Sequence, residues 1–264
     1  MVRSPREVGV EATSSEQGNL GGAAARQEQF ERDGYLVIEE PVAPEAVLDG
    51  IVEALAHLYG KPLHERDGVV YYRNRIQDAW KIDECVKALA LAPPVLALLE
   101  DLYGRRPLPF QTINFRIGSQ QKAHSDALHF NSKPEGFMCG VWVALEDIDS
   151  ENGPVVFYPG SHKLPFVMMA DAGLEASESN YGAYEQHIDR LIAGEGLEPR
   201  YGTLDKGQAL VWAANLLHGG APQQERSRSR HSQVTHYFFE GCRYWAPMVS
   251  EGDDVRWREP RWIA

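Results

Sequence analysis

From Gln111 onward the chain is written in short apolar runs. QTINFRIG, GVWVALEDI, GPVVFYPG, GQALVWAA and SQVTHYFFE follow one another, rich in Val, Phe, Tyr and Trp and bounded by Gly, Pro or Asp. Runs of this length and punctuation read as strands. Several in succession with no helix of the crossover kind between most of them call for antiparallel sheets packed face to face or closed on themselves. The part before Gln111 has a different rhythm. AAARQEQFERDG reads as a short helix closed by Gly34, and YLVIEEPV as a strand. In APEAVLDGIVEALAHLYG, Val47, Ile51, Leu55 and Leu58 recur at helical spacing up to a stop at Gly60, and APPVLALLEDLYG is a further helix. The expected fold class is therefore mainly β with flanking α-helices, an antiparallel barrel or double-sheet jelly roll.

The 264 residues suffice for one large domain, expected over residues 25–264. Residues 1–24 are small, polar and unpatterned, and are expected to be a disordered leader. Between Pro165 and Gly207 the strand rhythm breaks, and ESNYGAYEQHIDRLIAGEG reads as a helical insertion at about residues 166–206. Tyr181, Tyr184 and His187 lie in it among acidic and small residues, which suits a cover over a binding site rather than a piece of core.

Charge and cysteine usage exclude several classes. The net charge of −12 argues against nucleic acid as a partner, because phosphate contacts need a basic surface. Cys85, Cys139 and Cys242 are odd in number and far apart, so neither a disulfide framework nor a zinc knot is expected, and a cytoplasmic setting fits. No apolar run is long enough to span a membrane. There is no H-E-x-x-H, no G-x-x-x-x-G-K-[ST] and no G-x-S-x-G. The partner left is a small-molecule substrate, and the oligomeric state is left open.

Among nine histidines, two H-x-D triplets occur, His124-Ser125-Asp126 and His187-Ile188-Asp189. Local structure separates them. Positions i and i+2 share a face on a strand and diverge on a helix. His187 falls in the helical insertion and is expected at the surface, whereas His124 follows a strand signal and precedes a plausible extended segment. A third ligand is best sought in ALVWAANLLHGG, where His218 ends a strand-like run before two glycines. Two histidines and one carboxylate on one face leave open positions for a cosubstrate and oxygen, the donor set of non-haem iron(II) oxygenases. If the cosubstrate is 2-oxoglutarate, its far carboxylate needs a buried cation, for which the planar fork of arginine is suited. Of Arg226, Arg228 and Arg230, the last is nearest the strand SQVTHYFF and is expected to point inward.

The stretches AHSDALHF, GVWVALEDIDSENGPVVFYPGSHKLP, VWAANLLHGG and RHSQVTHYF, in this order, together resemble the phytanoyl-CoA dioxygenase family over about residues 30–245. The resemblance implies a double-stranded β-helix, a cupin-like barrel, with Fe(II) held by His124, Asp126 and His218, and with 2-oxoglutarate and O2 as cosubstrates. It carries the cosubstrate arginine onto Arg230, six residues before His236-Tyr237, and places Gln111 and Trp142 beside the cosubstrate. His162 of the PGSH turn is structural in this picture. Gly220 stands where some relatives place a serine on the cosubstrate. The family's halogenases replace the metal carboxylate by a small residue, so Asp126 disfavours halogenation. The stretch from His124 to Ile148 is similar to members that oxidise sugar-containing natural products, including those that close orthoester rings in oligosaccharide antibiotics. Hydroxylation or oxidative cyclisation of a secondary metabolite is the expectation.

Two other readings keep the fold and change the function. A non-catalytic jelly roll would bind sugars by stacking on Trp80, Trp142, Trp212 and Trp245. A cupin-type metal-dependent isomerase or hydrolase would have no use for Arg230 or 2-oxoglutarate.

Overall fold

The computed structural model describes residues 14–264. Of the leader expected over residues 1–24, residues 1–13 lie outside the described part. From Ser14 the backbone is helical without a break to Asp33 (α1, Ser14–Asp33), so the helix expected from Ala23 begins earlier. Extending a helix adds a hydrogen bond for each residue fixed and is less costly than starting one. Gly34, at φ 78°, ends it in the left-handed region that glycine adopts without strain.

There follow β1 (Tyr35–Ile38), α2 (Glu45–Leu55), three short strands β2 (His64–Arg66), β3 (Val69–Tyr71) and β4 (Arg75–Gln77), and helices α3 (Glu84–Ala90) and α4 (Pro93–Tyr103). The β-rich half comprises β5 (Pro107–Phe115), β6 (Asn131–Lys133), β7 (Met138–Ala144) and β8 (Val155–Phe157). After the helix α5 (Tyr181–Gly194) come β9 (Arg200–Gly202), β10 (Ala209–Ala213), β11 (His218–Gly220), β12 (Ser232–Phe239), β13 (Arg243–Trp245) and β14 (Trp257–Arg258). The large antiparallel sheet runs β1-β10-β7-β12-β5-β4-β3-β2. A smaller sheet, β11-β8-β9, and a third, β14-β13-β6, complete the β structure among the described residues.

The period of two along each central strand sorts its side chains onto two faces. On β7, Cys139, Val141 and Val143 join the core beneath α2, α3 and α4, while Trp142 and Ala144 face the other way, into the space enclosed by the smaller sheet. Likewise β10 sends Val211 to the helices and Leu210 and Trp212 inward, and β12 sends Tyr237 and Phe239 to the helices and Val234 inward. The helix layer is also tied by hydrogen bonds: Tyr237 donates to the Ala90 carbonyl at 2.8 Å and Gln233 to that of Val86 at 3.1 Å. Because both faces of the central strands are covered, β12 is buried at every position. The inward face lines a cavity shared with His124, Asp126 and His218.

The insertion does not stand off the domain as a separate cover. Tyr184 and Ile188 of α5 are fully buried in a small apolar cluster with Ala123, Leu128, Met169 and Leu217. The cause is an apolar stripe, Tyr184, Ile188 and Leu191, at helical spacing. Tyr184, expected among possible ligand contacts, instead donates to the Val167 carbonyl at 3.2 Å. Tyr181 and Glu185, on the adjoining face of the helix, do reach the mouth of the inner space.

Candidate active site

His124 and His218 face each other across an isolated antiparallel bridge. The His124 N–H donates to the His218 carbonyl at 2.9 Å, and the His218 N–H to the His124 carbonyl at 3.0 Å. Their ring centroids are 4.6 Å apart. Each Nδ1 lies 3.0 Å from a backbone carbonyl two residues back, Lys122 for His124 and Leu216 for His218. A carbonyl only accepts, so Nδ1 carries the hydrogen and the Nε2 lone pair faces the interior. The two imidazoles are thus fixed in tautomer as well as direction. Asp126 supplies the third donor: Oδ1 is 3.8 Å from His124 Nε2 and Oδ2 is 3.7 Å from His218 Nε2. One donor atom from each of the three residues falls within 4.8 Å of the others, and all three residues are buried.

The route to this geometry differs from the sequence reading in two details. His124 and Asp126 share a side, but not on one continuous strand. Ser125 is extended, at φ −108° and ψ 128°, and the chain then tightens into a single turn at Asp126–Leu128. Ser125 points away, donating to Asn215 at 2.9 Å, which removes it from any triad. His218 does not end the preceding strand: β10 stops at Ala213, the chain turns, and His218 opens β11. The glycines after it have a steric cause. A Cβ on Gly219 would lie 2.6 Å from the Gln121 carbonyl oxygen, and one on Gly220 would lie 2.6 Å from the Gln120 nitrogen. The backbone leading to His124 passes in contact with β11, so a serine at residue 220 has no room.

Electrostatics suit a divalent cation. Burial, reinforced by neighbouring His218, pushes the His124 imidazolium down to about 3, leaving the ring neutral. Burial alone would raise the Asp126 carboxyl, but His218, His236 and His124 outweigh it and hold it well below the usual carboxylate range. A neutral His124 ring and an ionised Asp126 carboxylate suit metal binding.

Arg230 opens into the same cavity of about 90 Å³ as His124, Asp126 and His218. It is 2 % exposed, and among the described residues no carboxylate pairs with it. Nη1 donates to Ser232 Oγ at 2.7 Å, while Nε has no partner. The ring of Trp142 lies 5.2 Å from the guanidinium carbon. Burial pushes the guanidinium down to about 10. A charged, buried fork with an unmet donor fits an anionic ligand. Trp142 lines this cavity as well. Gln111 is placed behind it: its side chain meets His236 Nδ1 at 3.0 Å. Arg228 instead pairs with Asp149 at 2.7 Å, partly exposed. His187, half-buried on α5, is not part of the cluster, and the His162 ring packs on Gly34, where a Cβ would stand 2.3 Å from Nδ1.

Several site residues escaped the sequence reading as participants. Trp212 donates from Nε1 to Asp126 Oδ2 at 2.8 Å, and His236 Nε2 is 3.5 Å from the same oxygen. Gln121 donates to the Tyr181 hydroxyl at 2.9 Å, and that hydroxyl lies 3.3 Å from His129 Nε2. Burial lowers the His129 imidazolium and raises the Tyr181 phenol, so this contact joins two neutral groups. The inner cavity and a larger outer chamber of about 500 Å³ share Arg75, Phe115, Ser119 and Gln121. Trp142, Trp212 and Trp245 are buried, so they offer no exposed platform for sugar stacking.

Comparison with known proteins places this architecture. The model of the family Phytanoyl-CoA dioxygenase (PhyH) matches residues 30–232. The chain belongs to the phytanoyl-CoA dioxygenase family. The family relatives include phytanoyl-CoA dioxygenase domain-containing protein 1 of Danio rerio, 27% identical over 177 residues, covering 66% of this chain and 55% of the relative. The peroxisomal phytanoyl-CoA dioxygenase of Rattus norvegicus is 24% identical over 182 residues, covering 64% and 50%. The chain spans about half the length of these curated relatives. Among solved structures, the non-heme alpha ketoglutarate dependent epimerase SnoN from nogalamycin biosynthesis aligns with TM-score 0.66 at 18% identity, covering 93% of this chain and 100% of that one. EctD from S. alaskensis aligns with TM-score 0.64 at 19% identity, covering 91% and 85%. These likenesses show the fold, a double-stranded β-helix. Among the described residues no helix is long and apolar enough to cross a membrane.

Proposed function

We propose that this family member is an Fe(II)- and 2-oxoglutarate-dependent dioxygenase in which His124, Asp126 and His218 hold the metal and Arg230 the far carboxylate of the cosubstrate. The observation that carries the reading is the buried, unpaired guanidinium of Arg230 in the same small cavity as the His-Asp-His cluster. A cupin-type isomerase or hydrolase would bury that charge without use. With O2, the bound iron and 2-oxoglutarate supply a two-electron oxidation of a substrate coupled to oxidation of the cosubstrate to succinate and CO2. The chain's own part is to orient and exclude. Nδ1–carbonyl bonds lock both imidazoles, Trp212 grips Asp126, and Trp142 walls the guanidinium from water.

The substrate is read as a polar secondary metabolite, including sugar-containing antibiotic precursors, undergoing hydroxylation or oxidative cyclisation. In support, the outer chamber is lined mainly by Tyr, Arg, Asn, Gln and Glu side chains, with Phe115 and Ile117 as its large apolar residues. Such a wall pairs with hydroxyls better than with an acyl chain. SnoN has been solved with nogalamycin RO, so the fold accommodates a compound of that kind.

The test is anaerobic titration of purified apoprotein with Fe(II) and 2-oxoglutarate, followed by aerobic screening of glycosylated metabolites for substrate-dependent succinate release. His124→Ala, Asp126→Ala and His218→Ala should each abolish succinate release, and His187→Ala should not. Full activity in Asp126→Ala would reject the metal assignment.

A further inference from the structure

We propose that Gln111 and His236 are a positioning pair that, with Trp212, claims one oxygen of Asp126 and leaves the other for the metal; this rests on the metal reading above. The basis is a row running across four neighbouring strands of the large sheet. Trp212 on β10 stands opposite Gly140 on β7, Gly140 opposite His236 on β12, and His236 opposite Gln111 on β5. All four positions face the interior. Gly140 is the gap in the row: a Cβ there would lie 2.4 Å from the Trp212 ring, so the indole lies across the glycine to reach Asp126. The other half of the row is aimed by a bulge. The β12–β5 register shifts between His236 and Tyr237, skipping Phe110, and such shifts re-aim side chains locally.

The result is asymmetric. Asp126 Oδ2 has Trp212 Nε1 at 2.8 Å and His236 Nε2 at 3.5 Å, whereas Oδ1 has neither. A carboxylate only accepts, so it is a hydrogen on His236 Nε2 that can serve Oδ2. The amide of Gln111, 3.0 Å from Nδ1, offers an oxygen on one side and N–H on the other, and so orients the ring in either protonation state. Phe110 and Phe130 enclose the ring, with centroids 6.1 and 5.2 Å away. Partners that fix a ligating carboxylate in this way raise metal affinity by roughly tenfold to a hundredfold.

Cobalt(II), which resists oxidation, is the probe. Apoprotein of the wild type and of His236→Leu, His236→Gln and Gln111→Leu is titrated against a competing chelator while the visible absorption of the bound cobalt is recorded. Circular dichroism checks that each variant is folded. His236→Leu should weaken cobalt binding by roughly tenfold to a hundredfold and change the absorption envelope. His236→Gln restores an N–H near the Nε2 position and should recover most of the affinity and the wild-type envelope. Gln111→Leu should act in the same direction as His236→Leu, less strongly, and serves if His236→Leu does not fold. Wild-type affinity and absorption in folded His236→Leu, or in Gln111→Leu, would overturn the proposal. So would a His236→Gln variant as weak as His236→Leu. Failure of the wild type itself to bind cobalt would reject the metal reading on which the proposal stands.

Discussion

Replacing Arg230 by methionine keeps most of the buried stem and removes the charge, and it should have two effects of opposite sign. The first is on the cosubstrate. A desolvated guanidinium–carboxylate pair loses about 2–5 kcal/mol when one partner is removed, so the dissociation constant for 2-oxoglutarate should rise roughly 30- to 5,000-fold. The second is on the empty protein. Burial pushes Arg230 down to about 10. Because its folded value is depressed, the charged form is disfavoured in the fold. Below the folded value the group is protonated folded and unfolded alike, so at neutral pH the whole penalty is present, about 3 kcal/mol. It is relieved only as pH rises through the folded value. The bond to Ser232 and the ring contacts offset part of it. Without 2-oxoglutarate, Arg230→Met should therefore melt higher than the wild type, by up to several degrees. The assays are calorimetric titration of the iron(II) protein with 2-oxoglutarate under anaerobic conditions and a thermal melt of the apoprotein. Arg228→Ala, which breaks a partly exposed pair with Asp149, is the control and should alter cosubstrate affinity little. Unchanged affinity in Arg230→Met, or an equal loss in Arg228→Ala, would refute the placement of the carboxylate. A lower apoprotein melting temperature would refute the claim that the charge is unmet.

Gly219→Ala should cost metal binding and stability together, because its methyl group would enter the Gln121 carbonyl and prise β11 from the backbone before His124; a variant with wild-type metal affinity and melting temperature would show that the backbone gives way freely. Ile188→Ala leaves a cavity beneath the ligand-bearing loops and should lower stability by about 2–5 kcal/mol, read from a denaturant melt; a loss under 1 kcal/mol would mean that α5 is only loosely docked.

What the sequence makes legible follows physical range. In the large sheet β1, β5, β7, β10 and β12 announce themselves by composition and punctuation, and helices α1, α2 and α4 by spacing or closing glycines, because those are local signals; α3 is not announced. The short strands β2, β3, β4, β6, β9, β13 and β14 do not, since two or three residues carry no period and pair only once the long strands are in place. The same division runs through the site. The His124 and Asp126 pair is a local pattern, and His218 and Arg230 stand out by their flanking residues. His236 is visible in the sequence only as the mark by which Arg230 was found, and Trp212 only as one aromatic among several. Their approach to Asp126 depends on a cross-strand register and a bulge, neither of which any single segment encodes. The docked insertion is the opposite case. Tyr184, Ile188 and Leu191 show their stripe openly, but interrupted strands and polar neighbours point to a cover, and the packed helix emerges only in the fold.

The bridge between His124 and His218 also sets an order in time. Each imidazole is aimed by a backbone that the other's backbone holds, and the five strands β6 to β10 lie between the two in the chain. A chain emerging from the ribosome presents His124 and Asp126 long before His218, Arg230 or β12 exists. On the proposed metal reading, an ion met during synthesis would find two donors on an unpaired segment and be held weakly. Selection of the metal would thus be deferred until the last strands have been made and the sheets have met, when the finished protein, rather than the nascent one, would decide which ion it keeps.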